Sequence, residues 1–292
     1  MNSRVLAVSV SGGRTSAYMA RMIQQSTKLG SDYEKIIYMF ANTGSEDEDT
    51  LRYLNDVDIK FGLNIIWVEA VVHSGRKGST HKIVTYETAS RDNEPFKAVI
   101  AKYGIPNVSF IHCTRELKTN PMDSLLKSMG VPKAHRAIGI REDENRRVSP
   151  NATKNHIVYP LVDWWPTDKQ DVLDYWKQYN WDLAIPEWRG NCKTCYKKTT
   201  LKLLQVWRET PEAFEFTDEM EQLHGRTGTQ FLKHPDSATR VFFRGNQSTR
   251  QLVETFKIMP DDAMPRMSDN DASNTCSESC EIYPTEFLTT NQ

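Results

Sequence analysis

The sequence predicts an α/β fold built on a doubly wound, mostly parallel sheet, followed by a helical C-terminal extension and an acidic tail. Three observations predict it. Short β-branched runs alternate with amphipathic stretches of helical period over the first 70 residues, the pattern of strand–helix–strand crossovers. Two of those runs end in polar, glycine-bearing turns. The composition, 38% hydrophobic and 26% charged over 292 residues, is ordinary for a globular chain long enough to bury a core.

Val5-Leu6-Ala7-Val8-Ser9-Val10 reads as a strand covered on both faces. Residues 15–25 follow as a helix, with Tyr18, Met19, Met22 and Ile23 at helical spacing. Lys35-Ile36-Ile37-Tyr38-Met39-Phe40 is a second strand, and 45–61 a second helix with acids in its first turn, where the helix dipole favours them. Asn64-Ile65-Ile66-Trp67-Val68-Glu69 is a third strand. The polar stretch 73–91 reads as a mobile loop able to close over a site. Residues 94–103 and 115–129 read as helices, 134–140 as a strand, 141–147 as a charged loop and 156–159 as a further strand. Residues 168–179 form an amphipathic helix with Thr167 as its N-cap.

Beyond Gly190 the character changes. The expected division is a nucleotide-binding α/β domain over 1–190, a Cys-x-x-Cys knuckle with a helical extension over 191–260, and a tail over 261–292. Residues 201–207 and 211–223 read as a helical pair. The tail carries seven acids against one base, Arg266, and is expected to be extended. The tryptophans at 164, 165, 176, 181 and 188 read as packing residues rather than a base-stacking platform. A formal net charge of -1 argues against wholesale wrapping of nucleic acid. No apolar run is long enough to cross a bilayer, and the N-terminus lacks the features of a signal peptide, so a cytoplasmic location is expected.

The chemistry concentrates at the first turn. Ser11-Gly12-Gly13-Arg14-Thr15-Ser16 leaves a strand and opens a helix. Glycines there let an anion approach the main chain, and successive amides at a helix N-terminus form a donor nest. Ser11, Thr15 and Ser16 add hydroxyls and Arg14 a positive charge. No Gly-Lys-Ser/Thr follows, so this is not the common NTPase loop. The plain alternative is a tight strand–helix turn with a serine cap. The second strand runs into Ala41-Asn42-Thr43-Gly44-Ser45-Glu46 at the same edge, where ligands of open α/β sheets sit.

These residues resemble a known family. Ser11 to Ser16 is similar to the SGGxxS PP-loop of the ATP pyrophosphatase, or adenine nucleotide alpha hydrolase-like, superfamily, whose fold is Rossmann-like. Asn42-Thr43-Gly44 with Glu46 and Thr50 resembles the second motif of its phosphoadenosine phosphosulfate (PAPS) reductase branch. The resemblance continues through Cys113-Thr114-Arg115-Glu116-Leu117-Lys118 with Pro121, and Gly139-Ile140-Arg141-Glu142-Asp143-Glu144 with Arg146 and Arg147. It ends with Tyr159-Pro160-Leu161 and Asp163, Asp171-Val172 and Tyr175, and Gly190-Asn191-Cys192-Lys193-Thr194-Cys195. Bacteriophage and mobile-element relatives, and the sulfur-transferring component of DNA phosphorothioation systems, look closer in style than the reductases, whose catalytic tail cysteine stands beside Gly and His. Here the tail reads Cys276-Ser277-Glu278-Ser279-Cys280.

The resemblance implies an enzyme that binds ATP or a sulfonucleotide and catalyses α–β phosphate cleavage with adenylylation, or sulfur transfer. A true PAPS reductase and a non-catalytic nucleotide-binding regulator are the alternatives. It implies that 11–16 grips the phosphates with Mg2+ bridging them, that 42–46 lies near the adenosine, and that Lys118, Arg141, Arg146 and Arg147 face the anionic substrate; planar Arg forks suit phosphate or sulfate oxygens. A solvated charged loop is the plain reading of 141–147. An anionic small-molecule or nucleic-acid acceptor, a protein partner and a homo-oligomer are the expected associations.

The five cysteines, an odd number, argue for metal or redox chemistry rather than a disulfide framework. Cys192 and Cys195 form half of a metal site. With Cys113, placed by the resemblance, and a fourth ligand from Cys280, Cys276 or His112, they could hold a [4Fe–4S] cluster or zinc. A redox dithiol and buried structural thiols stay open beside that set.

Overall fold

The computed structural model describes residues 4–27 and 29–264. The expectations for the tail beyond 264, Cys276 and Cys280 included, lie outside the described residues. The chain opens with β1 (Val5–Ser9), α1 (Arg14–Gln25), α2 (Leu29–Asp32), β2 (Lys35–Asn42), α3 (Glu48–Phe61), β3 (Ile66–Val71) and β4 (Thr80–Val84). It continues with α4 (Glu94–Tyr103), α5 (His112–Thr114), α6 (Asn120–Ser128), β5 (His135–Ala137), β6 (Ile157–Val158), α7 (Pro160–Asp163) and α8 (Lys169–Trp176). The extension holds α9 (Thr200–Glu209), α10 (Ala213–His224), α11 (Thr229–Lys233) and α12 (Thr249–Lys257).

The six strands form one sheet in the order β4-β3-β2-β1-β5-β6, parallel except for β4, which runs antiparallel to β3. Side-chain alternation explains why the inner strands read as continuous apolar runs. Leu6, Val8, Tyr38, Phe40 and Trp67 face α1, α3 and α8, while Ala7, Ile37, Met39 and Val68 face α6. Both faces are covered, as the alternating pattern predicts. Trp176 is fully buried against Tyr53, Phe61 and Trp181, a packing role as expected.

Several boundaries differ from the sequence reading. The stretch 73–91, read as a loop, contains β4. An edge strand pairs on one side only and keeps polar, half-exposed residues such as His81 and Lys82, so it shows no apolar run. Lys82 reaches the fully buried Glu69 of β3 at 3.0 Å, which ties that edge down. The second helix starts at Glu48, not 45, because Asp47 is the residue whose carboxylate accepts the Asp49 N–H. Thr167 gives its hydroxyl to the Trp165 carbonyl, and Asp168 caps α8 instead, in a reciprocal box with Asp171. The strand expected over 134–140 is only three residues long. Gly139 explains the early exit: a Cβ there would stand 3.2 Å from Ser16 Cα, so the chain leaves the ladder to pass tightly against α1.

The helix expected over 115–129 begins at α5 and carries a π-helical segment, Arg115–Thr119, before α6. Pro121 follows directly and has no N–H to give the Leu117 carbonyl, so the wider turn absorbs the missing bond. The charged loop 141–147 is wound into a 3-10 turn, Glu142–Arg147. The helical pair of the extension is present, and its apolar side shares one core with α4. Phe96, Val99 and Ile100 pack there with Leu203, Phe214, Met220 and Phe256.

Candidate functional site

The order of strands reverses at β1, which lies between β2 and β5. Open α/β sheets bind ligands outside the carboxyl ends of strands at such a switch point. The 11–16 turn and the 138–141 segment both emerge there.

Gly12 has φ +82°, a left-handed conformation that other residues resist. Its missing side chain also matters, since a Cβ would sit 2.6 Å from Thr50 Cγ2 on α3. Gly13 opens α1 in extended backbone, and no side chain caps the helix. The serine cap of the plain alternative is therefore absent from Gly13. Serine hydroxyls hold the turn's shape instead. Ser16 Oγ accepts the Ser11 N–H at 2.9 Å and donates to the Gly13 carbonyl at 3.0 Å, with the Ser11 hydroxyl 3.0 Å away. The first-turn amides of α1 thus point outward at the carboxyl edge of the sheet, under the positive end of the helix dipole.

A cleft of about 280 Å³ opens over this turn. Gly12, Gly13, Arg14 and Thr50 line it together with Lys169, Leu173 and the segment around Leu183, Ile185, Pro186 and Asn191. Arg14 is engaged there: its Nε lies 2.8 Å and 2.9 Å from the Asp182 carboxylate oxygens, and its Nη2 donates to the Leu183 carbonyl. Its guanidinium thus ties the turn to the 182–183 segment. The sequence reading missed these lining residues, Lys169 included, because the contact joins distant segments: 168 residues separate Arg14 from Asp182.

The 42–46 residues are turned onto one another. Thr43 donates its N–H and hydroxyl to Glu46 at 2.8–3.0 Å, and both side chains are buried. Asn42 gives its amide to Glu69 at 2.7 Å and to the Ser90 carbonyl at 2.8 Å. Gly44, at φ +79°, would bring a Cβ within 3.1 Å of Asn93 and Pro95. These residues hold the turn rigid, and their side chains point into the fold.

Arg141 is the expected cation that meets the 11–16 turn. Its Nη1 donates to Thr15 Oγ1 at 3.2 Å, while Nε and Nη2 bind Asp143 at 2.9 and 3.1 Å. Arg147 is paired with the buried Glu144, and Arg146 is exposed. Lys118 is buried further along the edge. It lines a narrow, about 30 Å³ crevice with Thr43, Cys113, Cys192 and Cys195. Three expected metal ligands therefore share one crevice with an expected substrate cation.

The knuckle is docked on the second turn. Lys193 donates its N–H to the Ser45 carbonyl at 3.0 Å, Thr43 Oγ1 stands 3.5 Å from Cys192 Sγ, and Arg189 holds the buried Asp47 at 2.6 Å. Cys113 Sγ lies 3.6 Å from the Tyr196 hydroxyl. Among the described residues no group of three or more His, Cys, Asp and Glu side chains is placed to hold a metal ion. The described thiols alone do not fit a cluster or zinc, and Cys280 lies outside the described residues. His112, the other expected ligand, is buried with its ring against Tyr103. Burial, with Arg115 and Arg240 nearby, brings its pKa down to about 4, so the ring is neutral at pH 7.

Glu116 links this region to the stretch after β3. Burial pushes its carboxyl up, yet hydrogen bonds from the Ser79 N–H and hydroxyl, and from Arg115, hold it below the ordinary range.

No family model matches the chain. The chain is similar to the uncharacterized nin region protein ORF290 of Escherichia phage lambda, with 32% identity over 287 residues, 94% of each chain. The chain belongs to the family of that phage protein. Among the described residues no helix is long and apolar enough to cross a membrane.

Proposed function

We propose that this protein binds an adenine nucleotide by its phosphates at the 11–16 turn, as a PAPS reductase-like member of the adenine nucleotide alpha hydrolase-like superfamily. One observation carries the reading: a left-handed Gly12 and a helix without a side-chain cap stand at the switch point of the sheet, beside a cleft of about 280 Å³. Such a nest suits an oxyanion and little else.

The reaction is nucleotidyl transfer. An acceptor oxygen attacks the α-phosphorus of ATP, the bond from that phosphorus to the bridging oxygen breaks, and pyrophosphate leaves. The chain's part is positioning and charge neutralisation, with Arg141 at the mouth of the loop. Mg2+ bound with the nucleotide would supply further neutralisation of the phosphate charge. No step needs the cysteines. A cluster or zinc completed by Cys280 is a separate proposal that iron and zinc analysis of anaerobically purified protein tests.

Calorimetric titration with ATP and PAPS, alongside a pyrophosphate assay, tests the function. ATP binding that is lost in Gly13→Asp, which puts a carboxylate where phosphate should rest, supports the site. Unchanged ATP affinity in that variant refutes it. Sulfite release from PAPS with reduced thioredoxin would assign the protein to the reductases instead.

A further inference from the structure

Charge is segregated in the extension. Residues 209–224 carry six acids and neither Lys nor Arg, whereas 225–250 carry Arg226, Lys233, Arg240, Arg244 and Arg250 against Asp236 alone. A chain with a formal net charge of -1 thus concentrates cations on one short segment.

The structure extends that segment into a connected face. Arg240 Nη1 donates to the Tyr103 carbonyl at 3.0 Å, and the Lys102 ammonium stands 4.7 Å from the centre of the Tyr103 ring. Lys102 in turn donates to the Lys77 carbonyl at 2.5 Å. The Arg240 and Arg226 guanidinium carbons also lie 5.7 Å and 5.0 Å from the centre of the Phe231 ring, two residues before the exposed Lys233. Lys77, Lys102, Arg240, Arg226 and Lys233 are therefore linked by successive contacts, with aromatic rings between them.

Two features set these cations apart from arginines elsewhere in the fold. Arg14, Arg136 and Arg189 each bind a carboxylate that offsets the charge. Arg226 instead donates to the Pro235 and Ser237 carbonyls, Arg240 to the Tyr103 carbonyl and the Gln230 amide oxygen, and Lys102 to a carbonyl. Neutral oxygens orient a cation and leave its charge to act outward. The second feature is aromatic. The Arg240 guanidinium carbon lies 3.8 Å from the centre of the Phe110 ring, and Phe110 keeps 37% of its surface exposed. A row of cations with an exposed ring among them suits a chain of phosphates that carries flat bases. A run of carboxylates would use the cations alone.

We propose that the face formed by Lys77, Lys102, Arg226, Lys233 and Arg240 binds the backbone of a nucleic-acid strand. Its place in the fold gives that binding a use. The 72–79 segment joins Val71 to its ladder partner Thr80 beyond the carboxyl end of β3, and β3 runs parallel to β2 and β1. Lys77 therefore belongs to the same edge of the sheet as the 11–16 turn. On the nucleotide reading given above, on which this last step rests, the strand is the acceptor.

Fluorescence anisotropy of the full chain without ATP tests it, with labelled single-stranded DNA, single-stranded RNA and duplex DNA over a salt series. Each phosphate contact adds about -0.7 for a single strand, or -0.9 for a duplex, to the slope of log affinity against log salt. The double variant Lys102→Gln, Lys233→Gln should therefore flatten that slope by about 1.4 or more, and weaken binding about tenfold or more near 0.1 M salt. Lys35→Gln removes the same kind of charge at the start of β2, the opposite edge of the sheet, and should change neither. Melting temperatures should agree among the proteins. No salt-dependent binding to any of the three probes, a slope untouched by the double variant, or an equal loss in Lys35→Gln overturns the proposal. Equal affinity for polyglutamate overturns it in favour of an acidic protein partner. With ATP absent, failure of this face leaves the nucleotide site standing, and failure of the nucleotide site leaves this face standing.

Discussion

Replacing Gly12 by alanine adds one methyl group between β1 and α1, and the structure gives that methyl two costs. An L side chain at φ +82° costs about 1–2 kcal/mol in left-handed strain. The new Cβ also lies 2.6 Å from Thr50 Cγ2, and over-packing of that kind costs about 1–3 kcal/mol. Together Gly12→Ala should lose about 2–5 kcal/mol, a large share of the roughly 5–15 kcal/mol available to a domain. The two costs are separable. Thr50→Ser removes Cγ2 and keeps the hydroxyl, so the double variant should regain the over-packing part and keep the strain. Urea unfolding of the wild type, both single variants and the double variant reads this directly as a coupling energy. A Gly12→Ala change within about 0.5 kcal/mol of wild type, the range of neutral surface substitutions, would refute the geometry of the turn. Strict additivity with Thr50→Ser would refute the contact with α3.

Two further outcomes follow from buried charge. Arg189→Met leaves the Asp47 carboxylate buried without its guanidinium partner, and should cost about 3 kcal/mol in thermal or urea melts; adding Asp47→Asn should recover much of it, and no recovery would mean the pair does not anchor the knuckle. Burial pushes the Glu221 carboxyl above its ordinary 4.5, partly offset by hydrogen bonds from the Phe242 and Thr249 N–H groups. A raised carboxyl pKa means the folded state holds the proton more tightly than the unfolded chain. Its contribution is therefore most favourable below 4.5 and falls as pH rises through that value towards the raised one. Glu221→Gln should flatten this part of the pH–stability curve, and identical curves for wild type and variant would contradict the assignment.

Most of the sheet was legible because its inner strands are buried on both faces and must be apolar throughout. Val5 to Val10 and Lys35 to Phe40 could be little else. β4 was not legible, because an edge strand need satisfy only one ladder and β4 holds its place through Lys82 and Glu69 rather than through an apolar run. The start of α3 was placed three residues early and the cap of α8 one residue early, since several neighbouring Ser, Thr and Asp side chains offer the same chemistry and backbone direction decides which is used. The glycine turn was visible as a motif. The direction of its neighbours was not: Thr43 and Glu46 look polar and available in sequence, but they bond to each other.

The sequence by itself determined the α/β class, the position of the glycine turn at the end of the first strand, and the presence of a cysteine knuckle. Each follows from local rules: apolar period, backbone freedom at glycine, and residue spacing. Only the tertiary structure decided what surrounds them. It put Lys169 and Gly12 in the lining of one cleft and brought Cys113 into one crevice with Cys192, Cys195 and Lys118. It also bound Arg14 to Asp182 across the cleft. The physical reason is range. Backbone geometry and hydrophobic period act over a few residues, whereas a pair such as Arg14 and Asp182 forms only once the sheet and its covering helices have brought distant segments of the chain together.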